Sequence, residues 1–204
     1  MGSHLFRAVV SMRLHPGSAA DFERTWSRIA AEVRSQPANR GQWLLADPDD
    51  PESYEIVSDW QDEASFRAFE RSEAHREHRG HLAPFRKDIA MRTCTVRRQV
   101  PALARPDDGE VYVMVPAGSA DAAELLRTYR DISGRLAGTP GLSFNALLRD
   151  ADDPERYVVL SRWSGLAALR AFEGSGRHDA TAPLRRHHDA RATARTFEVV
   201  DSHE

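Results

Sequence analysis

The proton and nucleophile chemistry open to this chain rests on nine histidines and one cysteine. His75, His78 and His81 recur three residues apart on a segment of helical character. Side chains three apart share a helix face, so such a pair can in principle hold a metal or act as acid and base. No Glu or Cys at a suitable spacing completes a ligand set, and Arg76 and Arg79 crowd the same stretch, which makes metal the weaker reading. An imidazole titrating near pH ~6.5 suits proton transfer. His75 is the preferred acid/base candidate, because His178 returns at the corresponding place in the second half. The competing reading is a solvated polar face. His187-His188 are adjacent, so on a helix they point apart, and they read as polar exterior. Cys94 has no partner for an internal disulfide and no obvious cation to activate it, so it reads as a small buried residue. Trp60 and Trp163 each close a strand-like run. Either is a core aromatic or one wall of a pocket for a planar ligand. The amides of Asn145 and its counterpart Gln42 could donate to a ligand oxygen, or could be polar groups at a strand edge.

Whatever positions these residues is globular. The chain has 204 residues, 41% apolar and 29% charged, which supplies a core and argues against wholesale disorder. The formal net charge is −3, without the basic excess of a nucleic-acid binder. Mean hydropathy is −0.56, and no apolar run approaches the ~18 residues of a membrane helix. The start of the chain runs into a strand pattern without a signal-like apolar stretch, so the expected compartment is the cytoplasm. There is no glycine-rich phosphate loop, dinucleotide fingerprint or G-x-S-x-G elbow.

The dominant organisational signal is an internal repeat. A shift of 103 residues aligns Asp47–His75 with Asp150–His178, giving 15 identities in 29 positions, where ordinary residue usage gives roughly 2 by chance. Ser58-Asp59-Trp60 meets Ser161-Arg162-Trp163, and Arg67-Ala68-Phe69-Glu70 meets Arg170-Ala171-Phe172-Glu173. Near the start, Gly17-Ser18 matches Gly118-Ser119 at a shift of 101, which places two extra residues in the first helix of the second half. The halves are 1–100 and 109–204, with a Pro- and Asp-bearing linker at 101–108.

Each half reads strand, helix, strand, strand, helix, strand. In the first, Leu5–Leu14 alternates with Phe6, Ala8, Val10 and Met12 on one face. Ser18 is placed to cap a helix to Ser35 that carries Phe22, Trp26, Ile29 and Val33. Gln42–Ala46 and Glu52–Trp60 flank an Asp/Pro turn as a hairpin. Asp62 caps a helix with Ala64, Phe66, Ala68 and Phe69, a second helical piece covers His75–Lys87, and Ile89–Val100 is the last strand. This is the ferredoxin-like βαββαβ unit, and two of them make an α+β protein. A sheet with helices on one face needs its other face covered. The expectation is therefore an internal pseudo-dimer with the sheets face to face, Val57 and Leu160 buried between them, and Asp59 paired with Arg162.

The Tyr-x-x-x-Ser-x-Trp strand ends, the Phe66-x-x-Phe69 and Leu169-x-x-Phe172 helices, and the Ser72-x-x-His75 and Ser175-x-x-His178 junctions resemble the antibiotic biosynthesis monooxygenase group of the dimeric α/β-barrel superfamily. The resemblance covers nearly the whole chain and implies two ferredoxin-like repeats forming an internal dimeric α/β barrel. It also implies an oxidoreductase that takes an anthrone- or hydroquinone-type aromatic polyketide and O₂ with no metal or bound organic cofactor, a diffusible reduced flavin remaining open. Trp60 and Trp163 match the group's pocket tryptophan. An asparagine and a tyrosine of the quinone-forming members are replaced here by Ile56 and Phe66, and in the second half by Val159 and Leu169. The alternatives on the same fold are a polyketide cyclase or other acid/base enzyme, and a ligand-binding protein without catalysis. The expected site is a cavity between sheet and helices in each half. The first half is favoured, with His75 and Trp60 catalytic and Tyr54, Phe66 and Phe69 against the substrate; Trp163, His178 and Asn145 contribute to binding. Expected partners are the small aromatic substrate and O₂, without nucleic acid or membrane, in a monomeric or homodimeric protein.

Overall fold

The computed structural model describes residues 5–100, 109–189 and 192–203. The linker read at 101–108 lies outside the described residues. The chain divides into two units, one of residues 1–95 with 199–204, the other of residues 96–198.

The first unit contains β1 (Phe6–Leu14), α1 (Ala19–Arg34), β2 (Asn39–Asp47), β3 (Asp50–Trp60), α2 (Glu63–Glu70), α3 (Glu73–Leu82) and most of β4 (Arg86–Val100). β1 pairs antiparallel with β3 and β4, and β2 with β3, so the sheet order is β4-β1-β3-β2. Register sorts the side chains. Phe6 opposes Trp60, Ala8 opposes Ser58, Val10 opposes Ile56 and Met12 opposes Tyr54. Successive strand residues point to opposite faces, and this set packs with helix residues Phe22, Trp26, Ile29, Val33 and Phe66. Burying each such side chain contributes roughly 1.5–3 kcal/mol. The other face carries Arg7, Val9, Trp43, Leu45, Glu55, Val57 and Asp59, all buried. Arg7 Nε and Nη2 donate to the two Asp59 carboxylate oxygens at 2.5 and 2.6 Å, and Ser11 Oγ donates to the Glu55 carboxylate.

The second unit repeats the order: β5 (Val111–Gly118), α4 (Ala122–Leu136), β6 (Leu142–Asp150), β7 (Arg156–Trp163), α5 (Leu166–Glu173), the single turns α6 (Gly176–Asp179) and α7 (Ala182–Arg185), and β8 (Arg195–His203), whose residues from Val199 onward belong to the first unit. Its strand order is β8-β5-β7-β6. Leu125, Tyr129, Ile132 and Leu136 of α4 pack on Val111, Tyr157 and Trp163. Gly141 has φ +76°, and a Cβ there would collide with Ala168 Cβ, so α5 can approach this turn only over glycine. Both repeats are thus ferredoxin-like βαββαβ units in an α+β protein.

Several local expectations are corrected. Ser18 does not cap α1 with its side chain; its Oγ donates to the His15 carbonyl. The helical piece expected to reach Lys87 ends at Leu82, because Pro84 lacks an amide hydrogen and cannot continue the helix. The extra residues expected in the first helix of the second half are absent. Phe6 and Val111 both oppose the strand-ending tryptophans; the connection from Gly118 to Ala122 is then two residues shorter than its counterpart from Arg13 to Ala19. Within the second repeat Arg162 Nε donates to Glu110 at 3.1 Å. His187 is buried rather than exterior, with its carbonyl accepting from Gly118 N at 2.8 Å.

Candidate functional site

Between the first sheet and its helices lies a cavity of about 350 Å³. Ala8, Val10, Met12 and Ile56 form its floor, Trp26, Ile29 and Val33 of α1 one wall, and Phe66, Phe69, His75 and His78 another. The lining is mainly apolar, with a few polar groups set into it: Gln42, Ser58, Glu70, the two imidazoles, Arg79 and Arg86. A largely apolar concavity with sparse polar groups is the ordinary form of a small-molecule site. Ile89 and Met91, also on its lining, are 43% and 45% exposed, so the cavity reaches solvent along β4.

The aromatic wall is organised around Phe69. Trp60 stacks on it at 4.7 Å between centroids with an interplanar angle of 29°. His75 meets its ring at 4.8 Å and His78 at 6.4 Å. Asp62 caps α2 by accepting from Ser65 N at 2.8 Å, and these Ser65 bonds hold its carboxyl below the usual range. Ser72 caps α3 by accepting from His75 N at 3.1 Å. The two caps fix where Phe69 and His75 leave the backbone.

The sequence-derived site residues separate on inspection. Phe66, Phe69 and His75 line the cavity. Trp60 stands behind Phe69, 1% exposed, with its indole N–H donating to Ser58 Oγ at 3.0 Å. Tyr54 lies in the core cluster of Phe22 and Trp26, its hydroxyl donating to Glu23 at 2.7 Å; burial first and that carboxylate second push its pKa up. In the second repeat Trp163 stacks near Phe172 at 4.7 Å and donates to Ser161 Oγ at 3.0 Å, and His178 meets Phe172 edge-on at 5.3 Å. Asn145 Oδ1 accepts from the Tyr129 hydroxyl, so this amide oxygen is engaged by α4. His81 is exposed. Among the described residues no three His, Cys, Asp or Glu side chains gather as a metal-binding set.

His75 and His78 differ in wiring. His75 Nδ1 lies 2.8 Å from the Glu70 carbonyl, which accepts its N–H and leaves Nε2 as the basic nitrogen. Burial lowers the His75 pKa, the Glu70 carbonyl opposes that, and Arg79 adds to the lowering. His75 is therefore neutral at pH 7 and able to accept a proton. His78 Nε2 lies 3.0 Å from Glu32 on α1, a carboxylate that only accepts, so Nε2 carries the hydrogen. Sequence reasoning missed Glu32, because its 46-residue separation from His78 carries no spacing signal.

Taken together, the repeats define a class: duplicated ferredoxin-like α+β proteins, here with an aromatic, imidazole-bearing cavity under the helices of the first repeat. The model of the antibiotic biosynthesis monooxygenase family matches residues 5–80 and again 109–184. The chain belongs to that family. Similar solved structures include a provisionally assigned monooxygenase from Fusobacterium nucleatum, with 11% identity over 100% of this chain and 96% of that one at a TM-score of 0.81. Another provisionally assigned monooxygenase, from Lactobacillus acidophilus, has 8% identity over 97% of this chain and 93% of that one, TM-score 0.75. An anthrone oxidase-like protein has 14% identity over 98% of this chain and 93% of that one, TM-score 0.72. At these identities the likeness is one of fold. No curated protein matches the sequence. No helix among the described residues is long and apolar enough to cross a membrane.

Proposed function

We propose that the first repeat binds a planar, electron-rich aromatic of the anthrone or hydroquinone type and oxidises it with O₂, as a tailoring step on an aromatic polyketide. The observation that carries this reading is the cavity itself: apolar, lined by Phe66 and Phe69, and holding a neutral imidazole. His75 Nε2 takes the acidic C–H or O–H proton of the substrate. The resulting carbanion or phenolate is rich enough in electrons to reduce O₂ directly. For an anthrone the balance is one CH₂ group and one O₂ giving one C=O and one water. The chain's part is to hold the ring between its apolar walls, accept the proton and exclude water. No metal or bound organic cofactor is required by this balance. Trp60 acts as a positioning residue through its stack on Phe69.

The chain carries two family units, the number in a dimer of single-unit proteins, and is proposed to work as a monomer or a homodimer, which light scattering resolves. The experiment for the reaction is oxygen uptake with an anthrone and with a hydroquinone, alongside product mass. Uptake matched by quinone formation supports oxidation. Turnover without oxygen uptake points to a cyclase-type acid/base enzyme, and binding without turnover to a ligand-binding protein.

A further inference from the structure

Two buried polar atoms on the cavity lining have no hydrogen-bond partner among the described residues: Gln42 Nε2 and His78 Nδ1. Gln42 is 6% exposed and sits on β2 opposite Ser58, on the helix-facing side. An orphaned buried amide donor is costly in a folded protein and calls for an explanation. The two atoms are also complementary in kind. An amide N–H₂ only donates. With Nε2–H given to Glu32, Nδ1 is the ring nitrogen left toward the lining, and in that tautomer it is an acceptor. Meanwhile Ile56 and Phe66 make the neighbouring lining apolar.

We propose that Gln42 and His78 are the polar recognition groups of this cavity, Gln42 Nε2 donating to a carbonyl oxygen of the substrate and His78 Nδ1, oriented by Glu32, accepting a hydroxyl. The cavity then selects hydroxylated aromatic ketones over bare aromatic rings. This rests on the cavity binding an aromatic substrate, as proposed above. It adds that the oxygen substituents are read by β2 and α3, outside the Trp60–Phe69–His75 stack.

The test is a titration of the full chain with three tricyclic probes, β-hydroxyanthraquinone, anthraquinone and anthracene, followed by tryptophan fluorescence. Gln42→Leu weakens both quinones about tenfold and leaves anthracene unchanged, the scale of one buried hydrogen bond. His78→Phe weakens only β-hydroxyanthraquinone. Because Gln42→Leu also removes an orphaned donor, the ligand-free protein melts roughly 2–4 °C higher. Gln42→Met repeats the test with a flexible side chain of similar length. If the wild type binds the quinones but these variants do not change their preference over anthracene, the recognition groups are wrong and the aromatic cavity stands. If the wild type binds none of the three probes, both proposals fall.

Discussion

The two repeats share a strand order, a Trp–Phe–His stack and a serine before the histidine, yet they use the space under their helices differently. In the first repeat α3 is one capped helix of 10 residues that presents His75 and His78 to a cavity. In the second, the same stretch breaks into two four-residue turns, with Gly176 and Pro183 inside it. Pro183 lacks an amide hydrogen, so the helix begun at Gly176 cannot run through it. His78 is matched by Thr181 and Glu32 by Arg135, so the carboxylate–imidazole pair has no counterpart. Gln42 is an orphaned donor, whereas Asn145 has its oxygen tied to Tyr129. The stack is therefore part of the fold that both copies keep. The wiring beyond it distinguishes the copy proposed to do chemistry.

The largest effects should fall on what both repeats share. Trp60→Ala and Trp163→Ala each remove a fully buried indole and should lower unfolding free energy by about 3–5 kcal/mol, measured by urea denaturation. A large cost in one repeat alone would break the symmetry between the repeats. Asp59→Ala leaves Arg7 as a buried charge without its bidentate acceptor, and should cost about 3–5 kcal/mol by the same assay.

Activity should separate the copies. His75→Ala should lower turnover at least about tenfold, while His178→Ala should leave it within about twofold. The reverse order would move the site to the second repeat. Acid sensitivity sharpens the same contrast. His75 has a folded pKa held below its unfolded value of ~6.5, so the unfolded chain binds more protons as pH falls. Its contribution to stability is full above that value and is lost as pH drops through the depressed folded pKa. His75→Gln should flatten the decline of Tm below pH ~6.5; an unchanged slope contradicts the assignment.

The smallest effect is at the caps. Ser72→Ala should cost about 1 kcal/mol by losing its bond to His75 N, and Ser175→Ala less, because Ser175 makes no side-chain cap.

The architecture was legible because strand alternation, helix spacing and the repeat all follow local rules. Phe6, Ala8, Val10 and Met12 took the predicted face for that reason. Phe66, Phe69 and His75 were legible as one cluster because two helix caps and a short turn set their relative placement. Tyr54 was read into the site because it shares a face with Trp60, but being on the same face does not say which residue a cavity reaches, and Glu23 holds it in the core. Glu32 and the orphaned state of Gln42 were not legible, since each depends on packing between elements far apart in the chain. The helix end at Pro84 was readable from proline chemistry and was overrun by the periodicity around it.

The first-repeat cavity is proposed as the place where the substrate reacts. Ile56 lines that cavity, and Val159 is its counterpart in the second repeat. Oxygen uptake with an anthrone should fall at least about tenfold when Ile56→Phe fills the first cavity, and stay within about twofold for Val159→Phe. Full uptake by the folded Ile56→Phe protein, or its loss only in Val159→Phe, would contradict the account.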